Sequence, residues 1–169
     1  MTPFELVHVF PDIAPRDLLA LMTSPPHQQM QDKVGNLERR DFISRTDDAA
    51  HYRCECMVYP ARKIPAYVRP LLGGGLECHE IVSWDKATEQ IEIDVHPAVL
   101  GGRSRVRATV TVVADGTSTV RTYKGQVTVE VRLIGSRVEK AIVEEMTRTM
   151  NAAAEATRGL LKARSGATP

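Results

Sequence analysis

The chain has 169 residues, 43% of them apolar and 25% charged, with a formal net charge of +1. That length suffices for one sizeable core, the composition is that of an ordinary globular protein, and near-neutrality excludes a strong global field toward nucleic acid or an anionic membrane. No apolar run reaches the ~18 residues that a membrane-spanning helix needs.

Phe4 to Phe10 predicts a first strand, ended by Pro11. Pro15 suits the first turn of a short helix, with Asp17 at its positive end and Leu18, Leu19, Leu21 and Met22 on its apolar side. Ser24-Pro25-Pro26 ends that helix and starts a second, with Ser24 as N-cap and Gly35 as stop. From Leu37 the period changes toward two. Leu37–Thr46 and His51–Tyr59 predict a hairpin turned at Asp47-Asp48-Ala49. Tyr52, Cys54, Cys56 and Val58 share one face of its second strand, and Arg53, Glu55, Met57 and Tyr59 the other.

Residues 60–75 break this pattern. Ile64, Tyr67, Val68 and Leu71 form the apolar side of one or two helical turns, followed by the hinge Gly73-Gly74-Gly75. A connection between two strands needs only ~2–6 residues, so this longer one is expected to act as a gate. Leu76–Trp84 and Gln90–His96 predict a second hairpin, and Ser104–Val113 and Ser118–Ile134 a third, turned at Ala114-Asp115-Gly116-Thr117. Gly125, mid-strand, predicts a bulge or a sharp bend.

The last helix runs from Ser136 to about Arg164. Ser136-x-x-Glu139 has the spacing of a capping box. At 100° per residue, Val138, Ile142, Met146, Thr149, Met150, Ala153, Thr157 and Leu160 fall on one face. At ~1.5 Å per residue the helix is roughly 40 Å long, enough to cross most of a sheet. The expected fold is therefore α+β and of helix-grip type. A curved antiparallel sheet of about seven strands wraps around the long C-terminal helix, with two short helices after strand one. Residues 1–164 are expected to form a single domain, and 165–169 a loose tail.

The element order resembles the START-like superfamily, which includes the Bet v 1-like proteins and the polyketide cyclase and lipid transport families. A small bacterial branch of it is more similar still. That resemblance rests on Ile64-Pro65-Ala66-Tyr67-Val68, Trp84, Gly125 and the junction from Arg132 to Lys140 (Arg132-Leu133-Ile134-Gly135-Ser136-Arg137-Val138-Glu139-Lys140). Where the branch often has a proline in that junction, this chain has Leu133. The resemblance implies a cavity between sheet and helix, in a fold that hosts carriers, enzymes and adaptors alike.

Candidate chemistry is sparse. Cys54-x-Cys56 with Cys78-His79 invites a zinc reading, but Cys78 and His79 point to opposite faces, so buried apolar thiols and no metal are expected. His8, His51, His79 and His96, with Glu77, Glu80 and Asp94, could furnish an acid–base pair, yet no spacing selects one. No catalytic residue and no cofactor are expected. Arg103, Arg105 and Arg107, with Arg121 and Arg132 as neighbours, read as a solvated outer sheet face and not as a nucleic-acid groove.

The function expected is binding or transport of an apolar or amphipathic small molecule, such as a lipid, isoprenoid or polyketide. Its contacts are Met57, Tyr59, Tyr67, Val68, Leu71, Cys78, Glu80, Val110, Met146 and Met150. A cyclase- or hydrolase-type enzyme in the same cavity, or an interaction module with a filled core, are the alternatives. Three cysteines do not read as a disulfide framework, and the N-terminus shows no signal-peptide pattern, so a cytoplasmic location is expected, without integral membrane association.

Overall fold

The computed structural model describes residues 1–61 and 77–165. In chain order they form β1 (Thr2–Pro11), α1 (Pro15–Met22), α2 (Pro25–Val34), β2 (Leu37–Asp47), β3 (His51–Pro60), β4 (Cys78–Asp85), β5 (Gln90–Pro97), β6 (Ser104–Asp115), β7 (Ser118–Val129) and α3 (Gly135–Ser165). The strands make one antiparallel sheet in the order β1-β7-β6-β5-β4-β3-β2. This is the expected α+β helix-grip architecture. The gate beyond Ala61, with Tyr67, Val68 and Leu71, and the tail beyond Ser165 lie outside the described residues.

Local chemistry sets the hairpins. Asp48 Oδ1 accepts the backbone N–H groups of Ala50 and His51, each at 2.8 Å. Asp85 Oδ1 does the same for Ala87 and Thr88. An aspartate that accepts from the backbone two and three residues on closes the turn. Gly116 supplies the positive φ, 60°, of the β6–β7 turn. At the α1–α2 joint Ser24 is the N-cap of α2, as expected, and its carbonyl accepts the Gln28 N–H at 3.0 Å, but its side chain makes no cap bond. The Ser24 hydroxyl donates back to the Leu21 carbonyl at 2.6 Å instead.

Three expectations are corrected. The final strand stops at Val129 instead of running to Ile134; a turn precedes α3, with Leu133 at φ 71°, a conformation that a proline ring forbids. Gly125 makes no bulge, because pairing is continuous through it on both sides, with Phe4 and with Ala108. Its purpose is space: a Cβ there would lie 2.2 Å from the Arg107 carbonyl oxygen and 2.8 Å from the Phe4 ring. Glu139 forms no capping box. Its carboxylate is buried and accepts from the Val129 N–H at 2.9 Å and the Thr2 hydroxyl at 2.8 Å, with the Met1 amino group also at 2.8 Å. Burial opposes its charge, but these donors outweigh burial and hold its carboxyl below the usual range. Glu139 thus ties the start of α3 to β1 and the end of β7.

The core lies between the sheet and the helices. Phe10, Leu18, Leu19, Val110, Val127 and Ala154 are inaccessible to solvent. Val138, Ala153 and Thr157 of α3 are buried too, and Ile142, Val143, Met146, Met150 and Leu161 pack partly buried against the same core. The amphipathic face read from the sequence is thus the inner face, widened by Val143, Ala154 and Leu161.

Candidate functional site

Register assigns the inner face strand by strand. Tyr52, Cys54, Cys56 and Val58 of β3 lie opposite Trp84, Val82, Glu80 and Cys78 of β4. These in turn face Ile91, Ile93, Val95 and Pro97 of β5. The row continues through Val110, Ala108 and Val106 of β6 to Tyr123, Gly125 and Val127 of β7. Helix α3 packs on β1, β7 and α2, with no comparable approach to β3, β4 or β5 among the described residues. The inner side chains Cys78, Glu80, Val82, Ile93 and Val95 are half-buried. So are Ile142, Met146 and Met150 on the inner face of α3.

Two polar clusters lie on this inner side. The first joins α2, β2, β3 and β4. Arg40 donates from Nε to Asp32 at 3.0 Å and from Nη1 to Glu80 at 2.7 Å and Cys56 Sγ at 3.0 Å. Burial works against the Arg40 charge, but Glu80 and Asp32 outweigh it and raise its pKa. Every charge in this cluster therefore has a counter-charge. Burial pushes the neighbouring Cys78 thiol up to about 11, which leaves it a poor nucleophile at neutral pH.

The second cluster lies at the end closed by α1 and α2. Arg121 of β7 is 1% exposed. It donates to His8 Nδ1 at 3.3 Å and lies 3.6 Å from Met22 Sδ, between the rings of Phe10 and Tyr123. Because His8 Nδ1 accepts, its Nε2 carries the proton and donates to Asn151 Oδ1 at 2.9 Å. The Thr157 hydroxyl donates to the Ala153 carbonyl at 2.7 Å, so it accepts from His27 Nε2 at 3.0 Å. Burial lowers the pKa of both histidines, that of His27 to about 4, and the nearby Arg121 cation adds to the effect. Both rings are neutral at physiological pH.

The expected site residues divide. Cys78, Glu80, Met146 and Met150 are half-buried on the inner side, and Val110 is on the inner face but fully buried. Met57 and Tyr59 do not reach that face. They alternate with Cys56 and Val58, so the pleat turns them to the outer face, where the Arg39 guanidinium stacks 4.1 Å from the Tyr59 ring. Their inner-facing neighbours Cys56 and Val58 are buried. Tyr67, Val68 and Leu71 fall outside the described residues.

Of the acid–base candidates, His79 bonds Glu55 at 2.8 Å and His96 meets Asp94 at 3.1 Å, both on the outer face. His51 is exposed in its turn. No three metal-ligating groups converge among the described residues, and Cys54 and Cys56 are in no disulfide. The outer arginines behave as expected: Arg103 and Arg107 are exposed, and Arg105 pairs with Asp94 at 2.8 Å beside a shallow groove of about 200 Å³. Arg121 does not belong with them. The sequence pattern places it on that solvated face, and the fold buries it on the opposite one. No spacing in the sequence marks His27, Thr157, Asp32 or Arg40 as members of a site.

Solved structures of the same fold cover nearly the whole chain. The TTHA0849 protein of Thermus thermophilus has a TM-score of 0.61 at 13% identity, over 90% of this chain and 94% of that one. The Zhui aromatase/cyclase from Streptomyces sp. R1128 gives 0.58 at 12%, over 96% of both chains. A START superfamily protein from Mycobacterium smegmatis gives 0.54 at 13%, over 96% and 98%. The fold is START-like. No helix among the described residues is long and apolar enough to cross a membrane. No curated protein matches the chain. Residues 11–161 match the family described as "Protein of unknown function (DUF2505)", and with most of its length inside that match the protein belongs to this family.

Proposed function

We propose that the protein binds an apolar or amphipathic small molecule in the groove between α3 and the β4–β5 side of the sheet. The observation that carries this reading is the offset of α3. The helix covers β1 and β7, while Val82, Ile93 and Val95 stay half-buried opposite Ile142, Met146 and Met150. Apolar side chains that keep part of their surface exposed while packing on the core are what an apolar ligand can bury further, and burial yields about 25 cal/mol per Å². Methionine suits such a wall, since its unbranched chain adapts to irregular shapes. The likeness to a structure titled aromatase/cyclase supports a ligand-holding fold and keeps catalysis in the same groove as the second reading.

The test is Nile red fluorescence with the purified protein, joined to native mass spectrometry of the protein as isolated. Binding is expected to brighten the dye, and Val82→Trp is expected to abolish the effect by filling the groove. A dye signal that is unchanged on adding the protein, with no co-purified mass, would sink the reading. A ligand recovered with altered mass after incubation would favour catalysis over carriage.

A further inference from the structure

Resting on that ligand-binding reading, we propose that the closed end of the groove is an anion site. Arg121 receives the carboxylate of a long-chain amphiphile whose apolar tail runs along the inner face of α3.

A buried charge without a counter-charge is expensive, and proteins rarely keep one without a use for it. Arg121 is such a charge. Among the described residues no carboxylate bonds to it, and its Nε–H has no acceptor at all. Its existing polar contacts are a neutral imidazole nitrogen and a thioether, the second a weak acceptor. Among the described residues the groups facing it include no acid. They are His8 and Phe10 from β1, Tyr123 from β7, Met22 from α1, His27 from α2 and Arg158 from α3, with Asn151 and Thr157 behind the two histidines. Glu155, the nearest acidic residue on α3, is largely exposed and already paired with Arg158. The rings of Phe10 and Tyr123, 4.8 and 4.9 Å from the guanidinium carbon, soften the cost of burial but accept no conventional hydrogen bond.

This geometry favours a carboxylate. The guanidinium fork offers two parallel donors, the open Nε–H and a neighbouring Nη–H, which match a planar carboxylate. That Nη–H is on Nη2, which carries two hydrogens and donates to His8 Nδ1 at 3.3 Å, while the flexible Met22 side chain, on Nη1, is the neighbour that can move aside. The inner face of α3 supplies an apolar stripe for the tail. From Thr157, next to the cluster, α3 runs back through Met150 and Met146 to Ile142, ~22 Å at ~1.5 Å per residue. The half-buried wall of β4 and β5 lies across from it. A bound chain thus places its charge at the closed end and its tail toward the open half.

The experiment uses the full chain loaded with Nile red and challenged with hexadecanoate, hexadecanol or acetate. Hexadecanoate is expected to displace the dye at roughly tenfold lower concentration than hexadecanol, the scale of one charge-assisted contact. Acetate is expected to leave the dye in place. Arg121→Met should bring the hexadecanoate and hexadecanol concentrations together, while Arg107→Met, on the outer face, should keep them apart. Equal potency of acid and alcohol on the wild-type protein would overturn the anion site and leave the binding reading standing. Failure of Nile red itself to bind would remove both. Displacement by acetate as effective as by hexadecanoate would overturn the amphiphile. Should Arg121→Met not fold, nuclear magnetic resonance of carboxyl-labelled hexadecanoate on the wild-type protein decides: a bound carboxyl that titrates below the free acid supports the site, and one that titrates above it refutes it.

Discussion

The inner face of the sheet has two halves with the same alternation and different fates. On β1, β6 and β7, Phe10, Val110 and Val127 are inaccessible, because α3 and α1 lie directly on them. On β4 and β5, Val82, Ile93 and Val95 occupy equivalent positions in the pleat and remain half-buried. Strand pattern decides which side a residue faces; burial depends on what covers that side. A helix about 10 Å across covers only a few strands spaced ~4.8 Å apart, so a seven-stranded sheet necessarily leaves part of its inner face to something else. Among the described residues, the half under α3 and α1 holds the inaccessible side chains Phe10, Val110 and Val127, and the β4–β5 half holds those that keep part of their surface.

Paired truncations test this contrast most strongly. Phe10→Ala is expected to cost about 3–5 kcal/mol in chemical denaturation, as a fully buried aromatic ring does, whereas Val82→Ala costs about 1 kcal/mol or less. Similar losses at both sites would break the comparison. The next effect concerns pH. The folded-state pKa of His27, about 4, lies below its ordinary 6.5, with Arg121 and Arg164 adding to the pressure of burial. Between those values the unfolded chain binds more protons than the folded one. Stability contributed by this group is therefore complete above pH 6.5 and declines as pH falls toward about 4, by at most about 3 kcal/mol. His27→Gln should flatten the fall in melting temperature over that window, and an unchanged slope would show that His27 is not buried neutral at the closed end.

A smaller effect separates the faces of α3. Ile142→Ala should lower the denaturation midpoint by about 1–2 kcal/mol more than Lys140→Ala, since only Ile142 packs on the core. Equal midpoints would mean that α3 presents a different face to the sheet. Smallest of all, a chelator is expected to leave the melting temperature unmoved, because no three metal-ligating groups converge among the described residues; a fall accompanied by stoichiometric zinc would overturn this.

What the amino-acid sequence determined by itself was whatever depends on neighbours a few residues away. The amphipathic face of α3, from Val138 through Ile142 and Met146 to Thr157, follows from a 3.6-residue period. The hairpins follow from Asp48, Asp85 and Gly116, whose turn chemistry is complete within four residues. Glu139 shows where this reach ends: the local pattern suggests a cap, while its actual partners, Val129 and Thr2, are brought to it only by the folded sheet. Both faces of β3 carry apolar residues, so parity alone could not say whether Met57 or Cys56 would look toward α3. Arg121 is the clearest case. A bulge at Gly125 would have shifted the parity of β7 and sent Arg121 outward. The ladder runs continuously through Gly125 instead, so Arg121 shares the inner face with Tyr123 and Val127, a parity set by pairing with β1 and β6 and not by the local pattern of β7.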